Sequence, residues 1–123
     1  MPVLEVELIG EVASETRRGL AARIAEGVAG VLGAKPQSVW VRLRYTPLAD
    51  YAENGPTGGG PMPLPVFVTI MKRAWSEGDQ MKHEVAALAA AVGAACHRPA
   101  EEVHLLYEPP GRGRVAFGGR LVE

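Results

Sequence analysis

Pro2 is the residue of this sequence whose chemistry depends most on its position. When the second residue is small, the starting methionine is commonly removed, and a proline then carries a secondary amine. An ordinary α-amino group has a pKa of about 8. Burial in an apolar pocket near cations disfavours the protonated amine, so a modest fall in its pKa leaves a neutral base at pH 7. Pro2 is therefore a candidate proton-transfer residue. The alternatives are that it only begins a strand, or that Met1 is retained and the Pro2 nitrogen is an amide.

Pro2 opens a short apolar run, and a run of the same kind opens at Pro65. Residues 2–9 and 65–71 are both rich in β-branched and apolar side chains, which is typical of strands. A leading proline fits this interpretation because the first residue of a strand need not donate a ladder hydrogen bond. The sequence therefore predicts two units that each begin with a strand.

Each predicted strand is followed by an amphipathic helix and then by a second strand, at residues 39–45 and 103–107. Ser14 and Ser76 are predicted to cap the helices, since a serine hydroxyl accepts from the free amides of the first turn. Gly33 is expected to end the first helix. Apolar residues recur with helical spacing in both units. They are Leu20, Ile24, Val28 and Leu32 in the first and Met81, Val85, Leu88, Val92 and Ala95 in the second.

The β-α-β pattern is thus present twice, which predicts an α/β fold. A strand, a crossover helix and a strand in one sheet imply parallel pairing with right-handed connections. We expect a tandem βαβ repeat that forms a four-stranded sheet with two helices on one face. Residues 1–123 are expected to be a single domain made of two units, about 2–55 and 65–123, joined by a Gly/Pro-rich linker at 54–64.

The sheet face away from the helices is left bare in this arrangement. The Val, Leu, Trp and Phe residues of the predicted strands indicate that this face is apolar. Exposed apolar area of that size is usually an interface. Self-association with closed cyclic symmetry is the expected way to cover it.

Composition and charge exclude several classes of function. Hydrophobic residues make up 47% of the 123, and 13 basic against 14 acidic residues leave a net charge of −1, which argues against a nucleic-acid or general polyanion binder. The single Cys96 excludes an intrachain disulfide framework, and the scattered histidines predict no metal site. No apolar run reaches the roughly 18–20 residues of a membrane span. We expect a cytoplasmic protein with no membrane, nucleic-acid or metal partner.

The repeat and the proline at position 2 together resemble the tautomerase superfamily, whose members are single or fused βαβ units that use an amino-terminal proline in catalysis. The resemblance spans essentially the whole chain. Residues 103–119 are similar to 4-oxalocrotonate tautomerase, residues 68–77 and 111–114 to malonate semialdehyde decarboxylase, and residues 40–55 to cis-3-chloroacrylic acid dehalogenase. It implies a fold like that of these tautomerases and of macrophage migration inhibitory factor, and catalysis without a cofactor.

The resemblance also assigns roles to single residues. Glu53 matches the glutamate that activates water in the dehalogenase, and Arg73 matches a decarboxylase arginine that holds the substrate carboxylate by charge-assisted hydrogen bonds. Lys72 falls where the dehalogenases have an arginine. The alternatives are a solvated turn for Glu53 and ordinary surface charge for the two cations. Apolar walls around the amine are expected from Trp40, Tyr51 and Phe117.

Some positions depart from the superfamily pattern. Trp75 stands where all three patterns carry an arginine, and Val12 stands at the equivalent position of the first unit. Trp40 and His104 likewise stand where the tautomerase has a second arginine. A dianionic substrate would therefore need other cations, and Arg114 in the carboxyl-terminal loop is one candidate for binding it.

The leading hypothesis is a cofactor-independent tautomerase or isomerase that acts on a 2-oxo or unsaturated carboxylic acid. Pro2 would transfer the proton, while Arg73 and Lys72 would hold the carboxylate of this small-molecule substrate. One alternative is a hydratase, dehalogenase or decarboxylase-type lyase in which Glu53 activates water. A second alternative is a catalytically inactive trimeric protein with a binding or structural role. The resemblance implies a homotrimer.

Overall fold

The computed structural model describes residues 2–55 and 64–123. Its four-stranded sheet contains β1 (Val3–Ile9), β2 (Trp40–Thr46), β3 (Val66–Met71) and β4 (Val103–Tyr107). The helices are α1 (Ser14–Arg17), α2 (Leu20–Leu32) and α3 (Gly78–Cys96). Two short strands near the carboxyl end, β5 (Ala116–Phe117) and β6 (Arg120–Leu121), form an antiparallel ribbon. Residues 56–63, most of the predicted linker, lie outside the described residues.

The order of strands in the sheet is β2-β1-β3-β4. β1 pairs with β2 and β3 pairs with β4 in parallel, whereas the two central strands β1 and β3 are antiparallel. The doubled βαβ pattern predicted from the sequence is therefore confirmed, and one sheet joins the two units. The antiparallel centre pairs Val3 at the start of β1 with Met71 at the end of β3. Pro2 is thereby brought beside the residues that follow β3.

The hydrophobic core lies between the sheet and the two long helices. Alternate residues of β1 and β3 point into it, as the strand period requires. These residues are Leu4, Val6, Leu8, Val66, Val68 and Ile70, and the helices add Leu20, Ile24, Val28, Leu88 and Val92. All of them are at most 1% exposed, and full burial of a side chain of this size contributes roughly 1.5–3 kcal/mol. Both long helices pack on the same face of the sheet, as predicted.

The first predicted serine cap is wrong. Ser14 is the first residue of the four-residue helix α1, whose N-cap is Ala13, and no side chain caps that helix. The chain then turns at Gly19, whose φ of 68° is in the left-handed region, before α2 begins. A glycine adopts this conformation without a Cβ clash, so the first helical pattern is split in two. Gly33 ends α2, as predicted, with its amide donating to the Ala29 carbonyl.

The second predicted serine cap is also wrong. Helix α3 begins at Gly78 with Glu77 as its N-cap and without a capping side chain. The Ser76 hydroxyl donates instead to the carboxylate of Glu84, at 2.9 Å. A charged acceptor forms a stronger hydrogen bond than a neutral one, and this bond uses the hydroxyl that a cap would need.

The sheet face away from the helices is only partly apolar. Trp40 and Leu106 lie on it and are 51% and 65% exposed. On the same face, Glu5 pairs with Arg42 at 3.5 Å and with Arg44 at 2.9 Å. The prediction of an apolar face is therefore wrong for the β1–β2 half, because the Val and Leu side chains of β2 pack against the core.

No helix within the described ranges combines the length and the hydropathy that crossing a bilayer requires.

Candidate functional site

Pro2 is buried at the start of β1. Its carbonyl accepts a hydrogen bond from the Trp40 amide at 3.1 Å, which joins the starts of β1 and β2. Pro2 also lines a cleft of about 760 Å³, whose walls come from the carboxyl end of α2 and the first half of α3. Ligand pockets commonly have volumes of this order. The buried proline therefore borders a space that can hold a small organic acid.

Lys72 lines the same cleft. Its Nζ lies 2.7 Å from Oε1 of Glu84 on α3 and 3.5 Å from the Ser76 hydroxyl. The Lys72 and Glu84 side chains are only 17% and 10% exposed. This ion pair is therefore part of the cleft wall and differs from an exposed surface pair, whose contribution is small.

Glu84 is held by hydrogen bonds to both of its carboxylate oxygens. Besides Lys72, Ser76 donates to Oε1 at 2.9 Å, and the Tyr107 hydroxyl donates to Oε2 at 2.6 Å. We call these four residues the Glu84 network. A carboxylate this far from solvent needs such partners, because an unpaired buried charge is costly.

The network fixes the charge state of its members. Burial raises the pKa of Glu84, but hydrogen bonds from Lys72, Tyr107 and Ser76 outweigh burial and hold that pKa below its ordinary value. Burial, followed by the hydrogen bond to Glu84, raises the pKa of Tyr107 well above its ordinary value. At neutral pH, Glu84 is therefore ionised and Tyr107 is protonated. The cleft wall carries a fixed negative charge next to the Lys72 ammonium.

Arg73 and Phe117 lie at the same end of the sheet as Pro2 but away from the helix face. Together with Met71, Gly111 and Val122 they line a small pocket of about 40 Å³. Arg73 donates from Nε to the Glu123 carbonyl at 2.7 Å.

Trp40 joins this second group of predicted site residues. The Phe117 ring packs edge-to-face against the Trp40 ring, with centroids 4.9 Å apart. The structure thus brings Trp40, Arg73 and Phe117 to one place, and Pro2 and Lys72 to another.

Tyr51 and Glu53 follow β2 and form a third group. The Tyr51 ring lies 6.1 Å from the ring of Phe67, and its hydroxyl donates to Oε2 of Glu53 at 2.5 Å. This hydrogen bond is the main cause that raises the pKa of Tyr51 to about 12. The Glu53 residue is exposed. Within this chain, Glu53 stands apart from the Pro2 cleft.

The remaining residues of interest have structural partners. Arg114 donates to the carbonyls of Pro109 and Pro110 at 3.3 and 3.4 Å, so it stabilises the carboxyl-terminal loop. Trp75 donates from Nε1 to the Glu108 carbonyl at 3.1 Å, and Val12 packs against the core.

The sequence pattern did not identify Glu84 and Tyr107 as residues of the site. Glu84 lies 12 residues from Lys72 and 23 from Tyr107, so no local motif connects them. One signal was available: Glu84 is three residues after Met81 and four before Leu88, which places a carboxylate in the apolar stripe of a helix. Such a residue needs a buried partner.

In the part of the chain that the structure describes, no three His, Cys, Asp or Glu side chains converge as a metal site.

Neither a protein-family model nor a curated protein matches the sequence. A fused 4-OT described as a wild-type symmetric trimer is similar over 98% of this chain and 94% of its own, with a TM-score of 0.77 and 18% identity. A malonate semialdehyde decarboxylase, described as having decarboxylase and hydratase activities, is similar over 94% of this chain and 90% of its own, with a TM-score of 0.70 and 16% identity.

A third similar structure is a macrophage migration inhibitory factor-like protein from Entamoeba histolytica. It covers 98% of this chain and 97% of its own, with a TM-score of 0.66 and 12% identity. The chain therefore has the α/β fold of tautomerase-superfamily proteins, and the predicted likeness is confirmed over nearly its whole length. At these identities the shared property is the fold, and the chemistry of the site is argued from the residues of this chain.

Proposed function

We propose that the protein is a cofactor-independent isomerase that transfers a proton on a 2-oxo or unsaturated carboxylic acid, with the amine of Pro2 as the proton-transfer group. The observation that carries the proposal is the position of Pro2, which is buried and lines a cleft of about 760 Å³ together with Lys72. The fold shared with proteins described as 4-OT supports it.

The proposal requires that Pro2 carries a free amine, and therefore that Met1 is removed. In its neutral form this amine takes a proton from one atom of the substrate and returns it to another; in ketonisation of an enol, the proton leaves the enol oxygen and is delivered to the carbon next to the new carbonyl. A secondary amine near a lysine ammonium is harder to protonate, since like charges disfavour its charged form. Burial acts in the same direction.

Lys72 is proposed to hold the substrate carboxylate. An ammonium has three donors, and Nζ uses one of them on Glu84 at 2.7 Å, with a longer contact to Ser76 at 3.5 Å. A donor therefore remains for a ligand in the cleft that Lys72 lines. The Glu84 network keeps this long side chain in place, which limits the entropy lost on binding.

The first test replaces Pro2 with alanine and follows ketonisation of phenylenolpyruvate. General acid–base catalysis contributes about 100-fold or more, so kcat/KM should fall by at least that factor. Pro65→Ala is the matched control, because Pro65 precedes β3 as Pro2 precedes β1 but is internal to the chain. Unchanged turnover in the Pro2 variant, or equal losses in the two variants, would refute the proposal. Intact mass shows whether Met1 is present in each preparation.

We further propose that the protein is a homotrimer. Three of the similar structures are described as trimers, and Leu106 is 65% exposed on the sheet face away from the helices. A charge at this position should disrupt association, so Leu106→Glu should lower the mass measured by light scattering. Leu48→Glu is the control, since Leu48 is 57% exposed but follows β2 outside the sheet. A wild-type mass equal to one chain would contradict the trimer.

A lyase or hydratase activity is the alternative, and the ordered Glu53 favours it. Its carboxylate is held by the Tyr51 hydroxyl at 2.5 Å, and a similar structure is described as having decarboxylase and hydratase activities. Water addition needs Glu53 close to a substrate at Pro2, which in this fold requires a second copy of the chain. Loss of hydration, but not of ketonisation, in Glu53→Gln would support the alternative.

A further inference from the structure

Glu84 occupies an unusual place for an acidic residue if the cleft binds an anion. It lines the same cleft as Pro2 and Lys72, and its side chain is only 10% exposed. This inference rests on the proposed function, since it concerns which acids that cleft accepts. A buried carboxylate beside an anion-binding site opposes the binding of anions, so its presence there calls for a specific role.

The charges that line the cleft can be counted. Lys35, Lys72 and Glu84 contribute two positive charges and one negative charge. The lining residues therefore leave one net positive charge. A single carboxylate balances this charge, whereas a second one would enter a region where the Glu84 charge is already present.

Glu84 also remains charged while the cleft is in use. Three donors on the two oxygens, at 2.6 to 2.9 Å, stabilise its ionised form. These hydrogen bonds hold the pKa of Glu84 below its ordinary value despite its burial. The carboxylate therefore does not escape repulsion by taking up a proton at neutral pH.

We infer that Glu84 is a specificity-determining residue that makes the cleft accept acids with one carboxylate and reject acids with two. It does so by pairing with Lys72, so that only part of the ammonium charge is available to a ligand. The same pairing positions the ammonium at the cleft wall, where a monocarboxylate can share it.

The test compares 2-oxopentanoate with 2-oxoglutarate, which have the same carbon chain but one and two carboxylates. Dissociation constants are measured by calorimetry at pH 8 and low salt. The wild type should bind 2-oxopentanoate at least tenfold more tightly. This ratio corresponds to about 1.4 kcal/mol.

Glu84→Gln should shrink this ratio tenfold or more, chiefly by improving the binding of 2-oxoglutarate. Glu77→Gln is the matched control, because it removes the same charge from an exposed residue just before the same helix. Its ratio should stay within about twofold of the wild type.

Several results would overturn the inference. They are equal or tighter binding of 2-oxoglutarate by the wild type, binding of neither acid at millimolar concentration, or a ratio that changes no more in Glu84→Gln than in Glu77→Gln. A purely structural role would weaken both acids equally in Glu84→Gln and leave their ratio unchanged. If that variant does not fold, the wild-type ratio remains a decisive test.

Dissociation constants are measured without turnover. An incorrect prediction of the binding ratio can therefore be distinguished from an incorrect prediction of the catalytic role of Pro2. The isomerase proposal is judged by the loss of ketonisation in Pro2→Ala, whichever acid binds better.

Discussion

Replacing Lys72 with methionine tests whether the Lys72–Glu84 ion pair of the Glu84 network contributes to stability as a mostly buried ion pair should. Methionine keeps a long flexible side chain but removes the ammonium that lies 2.7 Å from Oε1 of Glu84. Breaking a fully buried ion pair costs roughly 3–5 kcal/mol, because the remaining charge is left unpaired. Ser76 and Tyr107 still donate to Glu84, and the cleft admits water, so we expect a loss of about 2 kcal/mol in the free energy of unfolding at pH 7.

The loss should depend on pH in a defined direction. In the folded wild type, burial raises the pKa of Glu84, but the network outweighs it and lowers that pKa below its ordinary value. A carboxyl group with a lowered folded pKa stabilises the protein above its unfolded pKa, and this contribution is lost as the pH falls through the folded pKa. The difference between the wild type and Lys72→Met should therefore be largest near pH 7 and shrink below about pH 4.

The assay is urea unfolding followed by circular dichroism at several pH values and one protein concentration. Lys82→Met is the matched control, since Lys82 pairs with Asp79 at 3.8 Å while both side chains are more than 80% exposed. Exposed pairs contribute about 0–1 kcal/mol, so the control should lose little. A loss in Lys72→Met no larger than in Lys82→Met, or one that does not change with pH, would refute the reasoning.

Three further predictions concern other parts of the chain. Ile24→Ala should lower the free energy of unfolding by about 2–5 kcal/mol, because Ile24 is 0% exposed in the core; a loss below 1 kcal/mol would mean that the site is not packed as described. Gly19→Ala should lower the free energy of unfolding by about 1–2 kcal/mol, because φ at Gly19 is 68°. Urea unfolding measures the effects of both substitutions. A Gly19 variant as stable as the wild type would contradict the left-handed turn before α2. Glu53→Gln should return the pKa of Tyr51 from about 12 towards its ordinary value of 10.0, followed by ultraviolet absorbance; an unchanged tyrosine titration would contradict their hydrogen bond.

The repeating parts of the fold were predictable because they depend on local pattern. Proline-led apolar runs mark β1 and β3, and the helical spacing of Leu20, Ile24 and Val28 marks the buried side of α2. The serine caps failed because a cap depends on competing partners: Gly19 breaks the first helix, and Glu84 takes the Ser76 hydroxyl. The β5–β6 ribbon was missed, although a glycine pair between two short segments is a known hairpin signal.

The candidate site was harder to predict because its contacts are distant in sequence. The placement of Lys72 beside Pro2 depends on the antiparallel pairing of β1 with β3, which sequence periodicity does not specify. The partners of Glu84 come from the residue that follows β3, from the loop before α3 and from β4. The resemblance to a family pointed to Arg73, Glu53 and Lys72, and of these only Lys72 lines the Pro2 cleft.

The proposed activity depends above all on a free amine at Pro2, and one comparison measures this directly. Inserting a lysine between Met1 and Pro2 leaves the proline ring unchanged but keeps the preceding chain attached, so that its nitrogen is an amide. Both forms are verified by intact mass and assayed for phenylenolpyruvate ketonisation. If the free amine transfers the proton, kcat/KM should fall by about 100-fold or more in the extended form. Equal activity in the two forms would contradict it.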